Sequence, residues 1–267
     1  MAEQLVRDVP SSERHSTERR QFRVLGVGVN AVQIRDVVAQ MERWISERER
    51  CHYIAVTGMH GISEAQHDPF FKKVLNRADL VVPDGMPLVW LGRRYGHQLK
   101  SRVYGPELMQ SFCQDTNSKY RHFFYGGDSA VPALLAKTLQ EKHGINIAGT
   151  YSPPFRELSE AEDQEVVSLI NATKPDVLWI GLSTPKQERW MYEHRDRLRV
   201  PVVIGVGAAF DINTGRVRQA PRWMREHGLE WLFRLVQEPR RLWRRYLIYG
   251  SEFVVNVTAE LLMFRRE

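Results

Sequence analysis

The chain has 267 residues, 43% of them hydrophobic, and a formal net charge of +6, so it is long enough to bury one large domain or two lobes. Its two cysteines, Cys51 and Cys113, exclude a disulfide framework and a cysteine-based metal site, and they suit a reducing compartment. No N-terminal apolar segment predicts a secretory signal and no apolar run approaches the roughly 20 residues that span a bilayer, so we expect a cytoplasmic protein.

Residues 1–20 are polar and charged, which predicts a disordered lead-in. Beyond them, apolar runs predict strands over residues 22–32, 52–59, 78–83, 121–125, 145–150, 176–182 and 201–210. Segments of helical periodicity predict helices over residues 37–49, 62–78, 86–96, 105–118, 130–143, 159–173 and 184–198. Ser159 and Glu162 have the spacing of a capping box. The alternation predicts an α/β domain over residues 21–218, with a Rossmann-like, mainly parallel sheet flanked by helices.

Asp84 follows an apolar run whose end is marked by Pro83 and Gly85. In open α/β sheets, ligands bind at the carboxyl ends of the strands, so this carboxylate is a candidate catalytic group. The alternative is that Asp84 caps the helix that follows it.

Other predicted strands also end in polar or glycine-rich sequences. These ends are Thr57-Gly58, Gly126-Gly127-Asp128, Ser183-Thr184 and the segment 207–211 that begins with Gly207. Backbone amides at helix starts bind phosphate well, and several such turns on one sheet edge predict a nucleotide or sugar-phosphate cleft.

The sequence Gly26-Val27-Gly28 resembles the start of a dinucleotide-binding fingerprint, but the third glycine is missing. Thr57-Gly58 also stands where an acidic residue should end the next strand, so we reject a classical NAD site. The chain contains no Asp-x-Asp, paired-histidine or His-Glu-x-x-His motif. We therefore expect neither cofactor nor metal, and arginine, lysine and helix dipoles would neutralise a leaving diphosphate.

The segment 183–188 opens a predicted helix and leaves two interpretations open. Thr184 and Gln187 have capping-box spacing, so Gln187 would bond back to the backbone of Thr184. Alternatively, Gln187 faces a ligand and Lys186 meets a phosphate at the helix start.

Two further polar residues are candidates for substrate binding. Arg102 precedes a helix, and a lone arginine is more often a solvated surface residue than part of a site. Asp211 either caps the turn 213–215 or accepts hydrogen bonds from a base or ribose.

Strand patterns stop after Gly215, which predicts a helical appendage over residues 219–267. Residues 216–246 hold nine arginines and three glutamates, a surplus equal to the net charge of the whole chain. On the helix predicted over residues 239–257, one arc holds Arg240, Arg241, Arg244, Arg245 and Ile248, and the other holds Leu242, Trp243, Tyr246, Leu247, Tyr249 and Phe253. This pattern is typical of a helix that lies in an anionic membrane interface. Packing on the protein's own core or on a second copy of the chain is the alternative, and it leaves a homo-oligomer open.

Together these motifs resemble the WecG/TagA/CpsF family of bacterial glycosyltransferases, whose fold is termed GT-E. The segments that carry the resemblance are 78–85, 102–108, 181–188, 205–211, 220–223, 228–234, 238–241 and 245–246. They occur in consistent order from Phe22 to Tyr246.

The resemblance implies an inverting transfer from a UDP-sugar to a polyprenyl-diphosphate-linked saccharide at the cytoplasmic membrane face. Family members add N-acetylmannosamine, its uronic acid or glucose while building cell-surface polysaccharides. It further implies Asp84 as the general base, Thr57 and Gln187 in the donor-sugar pocket, and Asp211 at the uridine. Arg102 would face the phosphates or the acceptor, and Arg234, Arg241 and Arg244 would grip the acceptor's diphosphate.

One motif departs from the family pattern. A Thr-x-Asn sequence is common there, whereas this chain has Thr57-Gly58-Met59, with His60 as a substitute for the missing polar group. The departure puts N-acetylmannosamine in doubt as the donor sugar. Two other classes remain open: a nucleic-acid-binding module, which would explain the arginines, and a non-catalytic membrane-associated scaffold.

Overall fold

The computed structural model describes residues 20–263, so the predicted lead-in lies outside it except for its last residue. The strands in this range are β1 (Gln21–Val24), β2 (Val27–Asn30), β3 (His52–Thr57), β4 (Leu80–Pro83), β5 (Arg121–Gly126), β6 (Asn146–Tyr151), β7 (Val177–Gly181) and β8 (Val202–Gly205). Six of them form one parallel sheet in the order β4-β3-β8-β7-β5-β6. The predicted Rossmann-like α/β fold is confirmed.

The predicted first strand is instead an antiparallel hairpin of β1 and β2, separate from the main sheet. Its two-residue turn holds Leu25 and Gly26, both with positive φ, which is the conformation that joins twisted antiparallel strands. Asn30, at the end of β2, accepts a hydrogen bond from the backbone N–H of Val81 over 2.8 Å. The hairpin therefore lies against the β4 edge of the sheet.

Helices flank the sheet on both faces. They are α1 (Ile34–Glu47), α2 (Met59–His67), α3 (Pro69–Asn76), α4 (Met86–Arg94), α5 (Gly105–Thr116), α6 (Val131–His143), α7 (Glu160–Thr173), α8 (Lys186–His194) and α9 (Ala209–Asn213). The capping box of Ser159 and Glu162 at the start of α7 is confirmed.

Two of these boundaries differ from the prediction. The helix expected over residues 62–78 is α2 followed by α3, because Asp68 caps a new helix and Pro69 occupies its first position. The strand expected over residues 201–210 ends at Gly205, and its last residues belong to α9.

Side chains alternate between the two faces of the sheet, and both faces are buried. Ile54 and Val56 of β3 pack with α1, α5 and α6 on one face. Tyr53 packs with α7 and α8 on the other face, where the hairpin, α2, α3 and α4 form a further cluster around Ala55 and Val81. This double cover is what a parallel sheet requires.

After the sheet, the chain forms the appendage (described here to residue 263). Its helices are α10 (Arg222–Glu226), α11 (Glu230–Gln237), α12 (Pro239–Trp243) and α13 (Tyr249–Met263), and a π-helical segment, Arg244–Ile248, joins α12 to α13. Phe253 and Val257 of α13 pack in the cluster that contains the hairpin and α2. Part of the predicted apolar arc therefore packs on the protein's own core.

Another part of that arc is open to solvent. Trp243 is 46% exposed and Leu247 is 53% exposed. Ile248, which the helical projection placed on the arginine arc, is 45% exposed. Within residues 20–263, no helix is both long enough and apolar enough to cross a bilayer.

Phe253→Ala should loosen the appendage, because this ring is 3% exposed in the core. Its loss should lower the free energy of unfolding by about 3–5 kcal/mol. Val255→Ala on the same helix is the matched control; Val255 is 65% exposed, and a change below about 0.5 kcal/mol is expected. Urea denaturation measures both, and equal effects would contradict the packing described.

Candidate active site

Asp84 lies directly after β4, at the carboxyl edge of the sheet, beside the end of β3. Its backbone N–H donates to the carbonyl of Thr57 over 2.8 Å, and Gly85 rather than Asp84 is the N-cap residue of α4. The capping alternative for Asp84 is therefore wrong, and its half-buried carboxylate is left to line two neighbouring cavities.

The strand-end cavity, of about 210 Å³, lies at the carboxyl ends of β3, β7 and β8. Its wall includes Val56, Gly181 and the 206–209 turn, together with Asp211 at the start of α9. Gly207 adopts a φ of +50°, so the turn brings backbone to the cavity wall at a position where a side chain would be strained. Turn backbone and polar side chains thus dominate this cavity.

The appendage cavity, of about 510 Å³, lies between α4 and the appendage. Apolar side chains dominate its wall: Met59, Met86, Pro87, Trp90, Leu229, Trp231, Leu247 and Val254. Trp90, Leu247 and Val254 are each at least half exposed, so the cavity opens among apolar side chains.

Four residues line both cavities and mark where they meet: Asp84, Tyr104, Arg234 and Arg245. Arg234 comes from α11 and Arg245 from the π-helical segment, so the appendage supplies both cations. The Nε atoms of both arginines are buried without a hydrogen-bond partner among residues 20–263. Burial and the nearby charges of Arg234 and Arg241 lower the pKa of Arg245. Arg234 also forms an ion pair with Glu238 over 3.8 Å. A desolvated guanidinium with an unused N–H donor is a strong attractor for an anion.

Arg102 lines the appendage cavity with its side chain only 11% exposed, so its interpretation as a solvated surface residue is wrong. Its guanidinium forms an ion pair with Glu230, the first residue of α11, and lies 4.1 Å from the centroid of the Tyr104 ring. The hydroxyl of Tyr104 also donates to Glu230.

Gln187 lines the strand-end cavity, as Thr184 does, and belongs to a second buried network in its wall. Its Oε1 accepts from the backbone N–H of Gly207 over 3.0 Å, and its Nε2 donates to Glu188 over 2.9 Å. Thr184 also donates to Glu188 over 2.9 Å. The capping-box interpretation is therefore wrong, since the side chain of Gln187 fixes the Gly207 turn instead of the backbone of Thr184.

The remaining candidates occupy different positions. Thr57 ends β3 with a buried hydroxyl that has no partner within the described chain, but it is not among the wall residues of either cavity. Gly126 and Gly127 end β5 against Gly181, and Lys186 is exposed at the start of α8; they also lie outside the two walls.

The predicted arginine arc divides into two rows. Arg241, which pairs with Glu238 over 2.6 Å, lines the strand-end cavity, as does Arg245 four residues later. Arg240 and Arg244 are exposed on the neighbouring row. Residues four apart on a helix share a face, which accounts for the division.

Burial raises the pKa of Asp84 to about 6. Arg102, Arg245 and Arg234 oppose this shift, whereas the negative charge of Glu230 adds to it. A carboxylate with a pKa near 6 is mostly ionised at neutral pH and is still basic enough to accept a proton during a reaction. No group of three or more histidine, cysteine, aspartate or glutamate side chains between residues 20 and 263 is placed to hold a metal.

Sequence reasoning assigned no role to Tyr104, Glu188 or Glu230. Tyr104 and Glu230 are 126 residues apart, so no spacing rule connects them. The one available signal was their position inside the segments that carry the family resemblance.

The fold and the site define a Rossmann-like α/β protein with an acid and arginine cluster at the carboxyl edge of its sheet. Such a cluster suits an enzyme that acts on phosphorylated substrates. The family model described as "Glycosyl transferase WecG/TagA/CpsF family" matches residues 22–267, so the chain belongs to this family of glycosyltransferases.

Three similar proteins share the name N-acetylglucosaminyldiphosphoundecaprenol N-acetyl-beta-D-mannosaminyltransferase. The protein of that name from Bacillus spizizenii is 31% identical over 212 residues, covering 79% of this chain and 80% of its own. The Bacillus subtilis protein is 32% identical over 177 residues, which cover 65% of this chain and 66% of the relative. The protein from Staphylococcus aureus strain MW2 is 26% identical over 223 residues, which cover 83% of this chain and 86% of the relative.

Asp84→Asn should stabilise the folded protein at neutral pH. The folded-state pKa of about 6 lies above the ordinary value of 3.8, so the folded state binds more protons than the unfolded chain between these values. The carboxylate therefore lowers stability above pH 6, and this effect disappears below about pH 4. We expect the substitution to raise the free energy of unfolding by about 1–3 kcal/mol at pH 7.5 and to change little at pH 4, as measured by urea denaturation.

Asp79→Asn, at the other end of β4, is the control of opposite sign. Burial favours the neutral acid there, but His52, the Tyr53 backbone N–H and Arg50 lower the pKa of Asp79 below its usual value. This variant should lose stability at pH 7.5. A loss of stability in Asp84→Asn as well would contradict the environment assigned to Asp84.

Proposed function

We propose that the protein is an inverting glycosyltransferase that moves a sugar from a UDP-sugar to a polyprenyl-diphosphate-linked saccharide. The observation that carries the proposal is the position of Asp84 at the junction of two unlike cavities. One cavity is polar and formed by strand ends, and the other is apolar and open among exposed apolar side chains. A nucleotide sugar is polar and matches the first cavity, whereas a lipid-linked acceptor carries an apolar chain and matches the second.

The donor would occupy the strand-end cavity. The Gly207 turn brings backbone close to the nucleotide, and Asp211 lies where it can accept hydrogen bonds from the uracil or ribose. Gln187 lines the same cavity and holds that turn in place by accepting from the Gly207 N–H. Thr57, beside Asp84, would support the sugar end of the pocket.

The acceptor would occupy the appendage cavity. The names of the relatives describe a diphosphoundecaprenol-linked N-acetylglucosamine as their acceptor. A saccharide bound here would place its hydroxyl at Asp84, while Trp90, Leu247 and Val254 contact the first part of the lipid.

In the proposed reaction, Asp84 accepts the proton of the acceptor hydroxyl as its oxygen attacks the anomeric carbon. The bond from that carbon to the β-phosphate oxygen breaks on the opposite face, and its electron pair leaves with UDP. Inversion at the anomeric carbon follows from this single displacement. Positioning by the two cavities would supply much of the rate.

Arg234, Arg241 and Arg245 would neutralise the charge that develops on the diphosphate. All three line the strand-end cavity, and two of them also reach the acceptor side. Preorganised cations at a developing negative charge lower the barrier substantially. On this basis we propose metal-independent transfer.

N-acetylmannosamine is the donor sugar that the relatives' names favour. Met59 lines the appendage cavity, as does the neighbouring His60, whose ring lies 5.3 Å from that of Tyr249. Burial and the charge of Arg245 lower the pKa of His60 to about 3, so this ring would meet a saccharide in the appendage cavity as a neutral hydrogen-bonding group. Because the sequence at this motif departs from Thr-x-Asn, glucose or another hexose stays a second donor to test.

We also propose that the protein binds the cytoplasmic membrane face peripherally through the appendage. Exposed apolar side chains at the cavity mouth adjoin the exposed cations Arg240 and Arg244. Each arginine near anionic lipid contributes about 1 kcal/mol, and exposed Trp and Leu side chains enter the interface.

Asp84→Asn should lower turnover at least about a hundredfold, because the amide accepts no proton from the acceptor. The measurement is UDP release from a panel of UDP-sugars with a lipid-linked N-acetylglucosamine acceptor. The expected gain in stability of the same variant shows that it folds. Near-normal turnover of this variant would show that Asp84 is not the base. If the unmodified protein binds UDP-sugars but releases no UDP, the non-catalytic scaffold would be favoured.

Replacing both Arg240 and Arg244 with Glu should weaken binding to phosphatidylglycerol vesicles at least about tenfold, because two attractive charges become repulsive. Lys73→Glu with Lys137→Glu makes the same charge change at two exposed sites outside the appendage and should leave binding unchanged. Sedimentation with vesicles measures both pairs. Tighter binding of the unmodified protein to random oligonucleotides than to vesicles would favour the nucleic-acid module instead.

A further inference from the structure

A carboxylate from the appendage is buried in the wall of the appendage cavity. Glu230, the first residue of α11, is 6% exposed and pairs with Arg102. It also accepts a hydrogen bond from the hydroxyl of Tyr104, over whose ring Arg102 lies. The three side chains form a closed group, called here the Glu230 cluster.

The Glu230 cluster joins two distant parts of the chain. Arg102 and Tyr104 lie just before α5 of the α/β domain, whereas Glu230 lies in the appendage, 128 and 126 residues away. Two charges and a phenol withdrawn from water add little net stability compared with apolar packing of the same volume. The apolar packing of Phe253 and Val257 already attaches the appendage, so the cluster is not needed for attachment alone.

The Glu230 cluster also adjoins Asp84. Glu230, Arg102 and Tyr104 line the appendage cavity with Asp84, and Tyr104 continues into the strand-end cavity. The appendage cavity also brings the cations Arg234 and Arg245, the neutral ring of His60, His227 and Tyr246 to Asp84, and the strand-end cavity brings Asp211 and Arg241. Arg102, Glu230, Arg245 and Arg234 have the largest electrostatic effects on the pKa of Asp84, and Glu230 is the anion among these four.

Removal of Glu230 would make the charge around Asp84 more positive. Arg102 would keep its charge without a partner and would act on Asp84 together with Arg234 and Arg245. Three cations without the compensating anion would stabilise the ionised form of Asp84 and make it a weaker base.

We propose that Glu230 is a positioning residue for the transfer reaction: it holds and compensates Arg102, so that the site around Asp84 is electrostatically complete only while the appendage is docked. The inference rests on the assignment of Asp84 as the base under the proposed function. It makes the appendage a part of the acid–base chemistry as well as of substrate binding, and it couples the docked state of the appendage to the reactivity of the catalytic carboxylate.

Glu230→Gln tests this role, because the amide still accepts from Tyr104 but carries no charge. The pH dependence of kcat/KM should show an acid limb near 6 in the unmodified protein, from Asp84. In Glu230→Gln this limb should move to lower pH by roughly one unit, and the plateau should fall roughly tenfold. A purely structural role would lower the plateau without moving the limb.

Glu42→Gln is the matched control. Glu42 also pairs with a cation, Lys119 at 2.7 Å, and accepts from a tyrosine hydroxyl, that of Tyr120 at 3.1 Å. This group lies in an open groove beside α1, at the amino-terminal edge of the sheet and away from Asp84. The substitution should leave both the limb and the plateau unchanged.

Tyr104→Phe is the second variant, and it keeps the charge of Glu230 while removing one hydrogen bond. It should lower the plateau of kcat/KM. Its acid limb should move by no more than about a third of the pH shift seen in Glu230→Gln. An unmoved limb in Glu230→Gln, or equal shifts in Glu230→Gln and Glu42→Gln, would overturn the inference. Failure of the unmodified protein to release UDP would instead overturn the proposed function, so the two failures are distinguishable.

Discussion

The proposed chemistry depends on one constraint: the carboxylate of Asp84 is withdrawn from water next to several arginines. Asp84 is placed at the carboxyl edge by the end of β4, and the arginines that surround it come mostly from helices that follow the sheet. The arginines offset part of the cost of burying the Asp84 charge, and the raised pKa of Asp84 shows that a part of this cost is not offset. The parallel sheet provides the position, because all its strands end on the same side.

The appendage is therefore half of the site. It closes one cavity and supplies Arg234 and Arg245 to the junction with the other, while α13 packs into the core beside the hairpin. Its exposed side chains Leu247 and Val254 lie at the cavity mouth, so the surface proposed to contact a lipid is continuous with the cavity that Asp84 lines. Binding a membrane and binding a substrate would thus involve the same helices.

Local sequence patterns predicted the parts of this arrangement that depend on local rules. The sheet followed from alternating apolar runs, and the position of Asp84 followed from the Pro83 and Gly85 breaks. The errors concern competition between local signals: Leu25 and Gly26 formed a hairpin turn within one apolar run, and Asp68 with Pro69 started a new helix inside a periodic segment. The Glu230 cluster was beyond such rules, because its partners are brought together only by the docking of the appendage.

The π-helical segment Arg244–Ile248 has a consequence for insertions and deletions. Its hydrogen bonds run from i to i+5, so each of its turns contains one residue more than an α-helical turn. Arg245 faces the cavities from within it, and Phe253 faces the core two turns later. Deleting one residue here would leave a regular helix yet rotate everything beyond it by about 100°. Chain length in this segment is consequently fixed to the single residue.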